Sequence, residues 1–425
     1  MDREARQSAV SQITQGTPQA TCHPEELPTH VAIRLFDYNG NPMTASAYDV
    51  AVIGAGVFGA WTAWHLAKRK QRVLLAEAYG PAHARASSGG ETRIIRMSYG
   101  TDEIYTRWSQ NSLNQWKELS VATSEKLFRQ TGVLWLSAEG DATLDESMAT
   151  FRRYGVKHEA IQRPELERRY PQLNLDGISR GLFEPDSGVL LARRAVACTV
   201  ESALHHGVQL QIAQIETPRA TNKLECIETS TGERISAGSF VFACGPWLGK
   251  VFPEILGARI FPSRQEVFFF GTPPGDARFA PPALPTWLFQ PDEVYGMPDM
   301  ESRGLKLARD THGEPVDPDT QSRLVSPESA EWARGFVARR FPALEHAPIV
   351  ETRVCQYENT SNGDFLIDRH PEFSNVWLAG GGSGHGFKHG PAFGEYTASM
   401  VMGEGTPELR FSLATKHTHQ KRTVH

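Results

Sequence analysis

Tyr48-Asp49-Val50-Ala51-Val52-Ile53-Gly54-Ala55-Gly56-Val57-Phe58-Gly59, followed by a second apolar run at Val73-Leu74-Leu75-Ala76-Glu77, decides how this chain folds. An apolar strand, a G-x-G-x-x-G turn, a helix and a second strand closed by an acid form one βαβ unit of the kind that binds a dinucleotide. Gly54 permits the tight turn, Gly56 lets the backbone approach a pyrophosphate, and Gly59 lets helix and strand pack closely. The helix N-terminus then faces the phosphates with its unpaired N–H groups. Glu77, about 20 residues beyond the glycines, is placed for a ribose hydroxyl, and a carboxylate there disfavours a 2′-phosphate. The stretch from Val50 to Ala67 is apolar enough to suggest a membrane span. Thr62, His65, the glycine and β-branched positions before them and the matching second strand argue against it.

The rest of the composition fits a soluble enzyme. At 425 residues the chain exceeds one ordinary domain, and about 150 residues per domain implies two or three, with interleaving possible. A net charge of −5 without any basic run argues against a nucleic-acid surface. Cys22, Cys198, Cys226, Cys244 and Cys355 are scattered without C-x-x-C spacing, which indicates neither a disulfide framework nor a structural zinc site and suits a reducing cytoplasm. Residues 1–46 are polar, rich in Gln, Thr and Pro, and lack the apolar core of a secretory signal, so a disordered extension outside the fold is expected there. Met43 lies just before the first strand and allows the extension to be an upstream start, and Lys416 to His425 reads as a frayed polar end.

Between the ends, composition alternates in a way that implies two interleaved domains. Ile104, Trp108, Leu113 and Trp116 predict an amphipathic helix over 103–120, and Val133-Leu134-Trp135-Leu136 predicts a short strand that begins a different layer. GLFEPDSGVLL (181–191) leads into a helix from about Ala192 to His206. Gly238 to Trp247 reads as a buried strand ending in a glycine turn, and the prolines and alternating segments from Arg259 to Val350 predict an antiparallel sheet covering a pocket. The expected division is a Rossmann-like α/β dinucleotide domain made of 47–130, 180–257 and 354–412, interrupted by an antiparallel-sheet substrate domain made of 131–179 and 258–353.

Near the C-terminus the chain reads Arg353-Val354-Cys355-Gln356-Tyr357-Glu358-Asn359-Thr360, and later Val376-Trp377-Leu378-Ala379-Gly380-Gly381-Gly382-Ser383-Gly384-His385-Gly386-Phe387-Lys388. An apolar strand feeding a glycine-rich loop and a helix from about Phe393 aims another helix N-terminus at something negative. His385 and Lys388 add positive potential there, which suits the anionic form of a reduced isoalloxazine.

With these segments in view, the chain resembles the monomeric sarcosine oxidase family of amine-oxidising flavoproteins, which includes N-methyltryptophan and pipecolate oxidases and falls in the D-amino-acid-oxidase-like superfamily. The likeness runs from about Tyr48 to about Met402. It is carried by Ser87-Ser88-Gly89-Gly90-Glu91-Thr92-Arg93-Ile94-Ile95-Arg96, by Cys355-Gln356-Tyr357 and by Ser383-Gly384-His385-Gly386-Phe387-Lys388. The resemblance implies FAD as cofactor, cradled by Gly54, Gly56, Gly59, Glu77, Ser87, Arg93, Gly382, Gly384 and Lys388. It also implies that Cys355 forms a thioether to the cofactor, with a neighbouring cation such as Arg353 lowering the thiol pKa. Cys198, Cys226 and Cys244 lack that context and read as core.

Arg96 and Lys388 match the pair that grips the substrate carboxylate in similar enzymes, a planar fork and a point charge. Arg93 matches a position near the flavin ring, and Tyr295 and Tyr357 match aromatic residues lining the substrate cavity. Lys306, in Gly304-Leu305-Lys306-Leu307-Ala308, would by strand alternation alone be an outward, solvated lysine. The resemblance instead places it against the flavin, where a cation helps oxygen accept an electron. The chain departs from the sarcosine enzyme in two places. Asp310 stands where that enzyme has a histidine, and Met97-Ser98-Tyr99-Gly100-Thr101 lacks its glutamate, so sarcosine itself is not the expected substrate. Lys306, His385 and Arg93 are thus expected to serve the reaction, and Arg96, Lys388, Tyr295, Tyr357 and Asp310 the substrate. The expected function is oxidation of a secondary or N-alkylated amino acid by a monomer that uses FAD and oxygen and neither a metal, nucleic acid nor a membrane. A dehydrogenase or biosynthetic desaturase with another electron acceptor is the alternative.

Overall fold

A computed structural model describes residues 48–219 and 222–420. The expectations for residues 1–46 and Cys22 lie outside them. Strands rich in β-branched and aromatic residues build a sheet in the order Leu366–Arg369, Val376–Gly380, Arg234–Phe242, Tyr48–Ile53, Val73–Glu77 and Gln209–Ile212. Its inner pairs are parallel, and Val376–Gly380 and Val73–Glu77 are buried along their whole length, the pattern of a sheet covered on both faces. Leu366–Arg369 joins antiparallel at one edge. The helix Val57–Lys68 follows the first strand directly and packs against the helices Ala192–His205 and Gly390–Val401. The last of these starts at Gly390, three residues before the expected Phe393, because Pro391 is accommodated in its first turn. Lys416, expected to open a frayed end, is instead buried, with its Nζ donating to Arg410 O (2.7 Å) and Asn362 Oδ1 (3.1 Å). Among the described residues no helix is long and apolar enough to cross a membrane.

A second, eight-stranded sheet runs in the order Ile349–Asn359, Phe261–Phe270, Leu305–Arg309, Val294–Met297, Thr286–Phe289, Val133–Ser137, Arg180–Glu184 and Glu159–Gln162. It is antiparallel except where Thr286–Phe289 lies parallel to Val133–Ser137. Its membership moves the expected domain cuts. Arg180–Glu184 pairs with Val133–Ser137, and Ile349–Asn359 pairs along its length with Phe261–Phe270. The cuts near 180 and 354 therefore fall inside or at the start of strands of this second sheet. The segment 181–191 leading to the helix holds the end of one ladder, with Arg180–Glu184 paired to Val133–Ser137, and then Gly188–Leu190 in a small third sheet with Arg93–Ile95 and Phe128–Arg129.

Period-two alternation gives the large sheet two different faces. Phe268, Phe270, Leu305, Leu307, Trp287 and Phe289 point into a core shared with Phe336 and Phe341 at the helix Pro327–Arg340. Their neighbours point the other way. Cross-strand register places Cys355 opposite Gln265, Lys306 opposite Phe269 and Met297, and Tyr295 opposite Leu288 and Ala308. Directly paired residues share a face, so Tyr295, Lys306, Cys355 and Tyr357 meet on the side turned away from that aromatic core.

Candidate active site

A cavity of about 380 Å³ runs from Glu77 past Gly54, Gly56 and Cys244 to Arg93, Tyr357, Gly382 and Gly384. The three N-terminal glycines do separate jobs in it. Gly54 has φ +104°, and a Cβ there would come within 2.4 Å of the Ala243 carbonyl oxygen. A Cβ on Gly59 would come within 1.8 Å of the Gly54 carbonyl oxygen. At Gly56 the nearest described atom would be Ser88 Oγ, at 3.5 Å. The protein alone thus requires the first two, whereas the space at Gly56 opens to the cavity. That is the room a pyrophosphate needs at a helix N-terminus.

Glu77 accepts from the amides of Ala55 (2.7 Å) and Tyr79 (3.1 Å), and His83 Nε2 lies 3.3 Å from its carboxylate. Burial pushes its pKa up, but the imidazole and amides outweigh it and hold the group ionised below its ordinary value. An anion fixed at the end of the second strand, next to the glycine turn, suits a ribose hydroxyl. A long cavity with a glycine turn at one end, a carboxylate beside it and a second glycine loop at the other fits FAD.

At the far end Arg93 joins the segment around Ser87 to the strand that carries Cys355. Its guanidinium donates to the carbonyls of Thr92 (2.8 Å) and Ser87 (2.6 Å) and lies 3.3 Å from Cys355 Sγ. Arg93, and not Arg353, is therefore the cation beside this thiol. Arg353 instead pairs with the carboxylates of Glu351 (2.6 Å) and Glu91 (3.5 Å). Cys244 also departs from its expected place in the core: it is half-buried and lines the cavity, and burial pushes its thiol well above the ordinary value. Cys226 is half-buried as well and lies 2.9 Å from Arg234, whereas Cys198 is in the core.

Lys306 is buried, not solvated, because the face it shares is roofed by the segment around Thr92. Its Nζ donates to Thr92 O (2.8 Å) and Oγ1 (3.1 Å). Burial, then the nearby Arg93 charge, push its pKa well below the ordinary value. A small cavity of about 30 Å³ separates it from Cys355, Arg93 and Glu91, room for about one small molecule. Tyr295 and Tyr357 share a side-chain hydrogen bond, and burial raises both hydroxyls, Tyr295 to about 12.

The second group of charges centres on Tyr99, which reading the sequence did not single out. Its hydroxyl accepts from Lys388 Nζ (2.7 Å) and lies 2.8 Å from His389 Nε2 and 3.2 Å from His385 Nδ1. The Arg96 guanidinium stacks over the Tyr99 ring (4.4 Å) and the Trp135 ring (4.9 Å). Glu184 was likewise missed. It is buried and accepts from the amides of Met97 (2.7 Å) and Ser98 (3.2 Å) and from Trp135 Nε1 (2.9 Å), which fixes the turn after Arg96. Asp310 completes the group: burial raises it to about 6, while Arg96 and Lys388 pull it down. Burial, reinforced by Arg96, also pushes Lys388 well below its ordinary value.

His385 stands apart from its expected place against the flavin. Its ring stacks on Phe365 at 4.9 Å, its Nε2 faces Gly363 O at 3.1 Å, and it is not among the residues lining the cofactor cavity. A proton on Nε2 leaves Nδ1 to accept from Tyr99, so the imidazole orients Tyr99 and Lys388 from behind.

A sequence profile described as FAD dependent oxidoreductase matches residues 49–400. The monomeric sarcosine oxidase of Bacillus sp. (strain B-0618) is 32% identical over 391 residues, covering 89% of this chain and 99% of the relative. Human peroxisomal sarcosine oxidase is 30% identical over 84% of this chain and 92% of its own length. The N-methyl-L-tryptophan oxidase of Salmonella heidelberg (strain SL476) is 28% identical over 85% and 96%. Among solved structures, L-proline dehydrogenase from P. horikoshii shares the fold with a TM-score of 0.75 at 22% identity, over 86% of this chain and 96% of that one.

Proposed function

The chain belongs to the family of FAD-dependent oxidoreductases, and from that premise we propose that it oxidises the C–N bond of a secondary or N-alkylated amino acid, with oxygen as acceptor and hydrogen peroxide as product. Relatives named for sarcosine and N-methyl-L-tryptophan support the substrate class. The observation that carries the reading is the buried pair Arg96 and Lys388, gathered with Tyr99 and Asp310. A planar guanidinium and an ammonium buried side by side present positive potential to one place, and a substrate carboxylate is an anion that suits it. FAD, when bound, supplies the acceptor for the two electrons that leave the C–N bond.

The chain's own groups do the rest. Arg96 offers a planar fork and Lys388 a point charge, so a carboxylate is held in one orientation. Asp310, ionised above about pH 6, balances the substrate's ammonium group or takes its proton. Tyr295 and Tyr357 line the space between and exclude water. Lys306, donating to Thr92 beside the small cavity, holds a cation where oxygen gathers negative charge. Cys355, with the Arg93 guanidinium 3.3 Å away, is the attachment point of the cofactor.

An anaerobic screen of N-methyl and cyclic amino acids for bleaching of the flavin tests the substrate class. Bleaching by such compounds, and not by their primary-amine or decarboxylated analogues, is expected, followed by recovery of colour and peroxide formation on admitting oxygen. Failure of oxygen to restore the colour would move the assignment to a dehydrogenase. Acid-precipitated protein should stay yellow and weigh one FAD more than the polypeptide, and Cys355→Ala should release its flavin.

A further inference from the structure

Glu358 lies in the cofactor cavity one residue beyond Tyr357 and takes no part in the chemistry assigned to Arg96, Lys388 and Lys306. Strand alternation turns it away from the face of Cys355 and Tyr357, towards the second glycine loop. The side chain is buried, 6% exposed. Its carboxyl rests against the end of the strand Val376–Gly380, so closely that a Cβ on Gly380 would come within 2.2 Å of Oε1. The Ser383 amide donates to the Glu358 carbonyl at 2.9 Å, which ties strand and loop together. The amides of Gly381 and Gly382 face the carboxyl, yet Oε1 is buried and makes no hydrogen bond within the protein.

Among the described residues Glu358 forms no ion pair, and Lys250, on the cavity wall, is held by Asp317 and Asp319. The other titratable and charged groups on the cavity wall are the Cys244 thiol, Tyr357 on its own strand, Arg93, which is held by Ser87 O and Cys355 Sγ, and Glu77 with His83, Tyr79, Glu216 and Asp319. Burial raises Glu358 to about 7 even though the two glycine amides pull it down. A diphosphate entering the same cavity adds negative charge and favours the neutral form further. A neutral carboxyl has one donor to give, and an ionised one has none.

We propose that Glu358 enters the FAD complex as a neutral acid and donates a hydrogen bond to an oxygen of the ribityl–pyrophosphate stretch, so that the pocket takes up a proton as the cofactor binds. The proposal rests on the FAD assignment and adds to it a proton that travels with the cofactor. The acceptor is a ribityl hydroxyl or a phosphate oxygen, both of which accept from a carboxylic acid.

Calorimetric titration of FAD into apo Cys355→Ala protein, in two buffers of different ionisation enthalpy, counts the protons taken up. With a free-state pKa of about 7, uptake should approach one proton at pH 8, fall to about a tenth of one at pH 6, and pass its midpoint near pH 7. Above that midpoint the Kd for FAD should rise about tenfold per pH unit. Glu358→Gln in the same background keeps shape and a donor, so it should bind FAD with no uptake and a flat pH profile. Riboflavin, which keeps the ribityl hydroxyls and lacks the phosphates, separates the acceptors: retained uptake assigns the ribityl chain, abolished uptake the pyrophosphate. Equal uptake with and without the Glu358→Gln substitution, or none at pH 8 in either protein, overturns the proposal. If no variant binds FAD at any pH, the cofactor assignment falls first and this proposal with it.

Discussion

The two ends of the site are made of different materials. At the nucleotide end, shape comes from the backbone: Gly54 and Gly59 are required by carbonyl oxygens that a Cβ would strike, and Gly56 by open space. At the end proposed for the amino acid, shape comes from side chains that are hard to bury: Arg96, Lys388 and Lys306 are packed against Tyr99, Trp135 and Thr92, with Asp310 beside Arg96 and Lys388. The difference teaches how each end should respond to change. A backbone cradle fails by steric conflict, all at once. A cluster of buried charges fails by degrees, one interaction at a time.

The sharpest contrast lies within the nucleotide end. In Gly59→Ala the new methyl has no escape from the Gly54 carbonyl, so the βαβ unit must open and a loss above about 3 kcal/mol is expected. Thermal unfolding of the cofactor-free protein measures it. Gly56→Ala should leave that same unfolding temperature nearly unchanged and instead weaken FAD binding, because its methyl projects into the cavity. Equal destabilisation of the two apo proteins would show that Gly56 also serves the protein's own packing.

Lys306→Met comes next in size and probes the other end. Methionine keeps much of the aliphatic volume, whereas losing one preorganised charge where an anion develops commonly costs about 10²–10³ in rate. Stopped-flow absorbance should therefore show recovery of flavin colour with oxygen slowed by that factor, and anaerobic bleaching by substrate far less affected. Equal slowing of both steps would mean that Lys306 positions the cofactor.

How much of this could be read in the sequence follows the same division. The glycines and Glu77 were legible because a βαβ unit is local: strand, turn, helix and acid fall within thirty residues. The side-chain end was legible only through likeness to a family, since its parts come from distant segments. Alternation says that Lys306 opposes Leu305 and Leu307, but not that the segment around Thr92 covers its side of the sheet. Glu184 meets its Met97 and Ser98 partners across 87 and 86 residues of chain, and no local pattern announces it. Nearness in sequence suggests Arg353 as the cation beside Cys355; Glu91 and Glu351, which hold it instead, are visible only once the strands are paired. The cuts near 180 and 354 meet strands for a related reason, because strand membership depends on a partner that composition does not name.

Arg96→Ala should lower kcat/KM for amino-acid substrates by at least about tenfold, since a charge-assisted contact contributes on the order of 1.5–3 kcal/mol. Analogues without the carboxylate should lose little. Equal losses for both would assign Arg96 to supporting Tyr99 and Trp135, over whose rings it lies.

The smallest expected effect belongs to Asp310, and its sign distinguishes a buried cost from a useful charge. Its folded value of about 6 lies above the ordinary 3.8, so the native state holds the proton more tightly than the unfolded chain. Asp310 therefore favours folding below about pH 4, and stability should decline as pH rises from about 4 to 6 and level off above. After allowance for solvent at this half-buried site the change is on the order of 1 kcal/mol. Asp310→Asn removes the titration, so the variant's advantage in urea unfolding should be greatest above pH 6 and vanish near pH 4. Catalysis should run the opposite way. If the ionised carboxylate meets the substrate amine, kcat/KM of the parent protein rises with pH through about 6, and the rise is absent in Asp310→Asn. A variant that keeps this limb would transfer the titration to another group and leave Asp310 as a charge the fold merely tolerates beside Arg96 and Lys388.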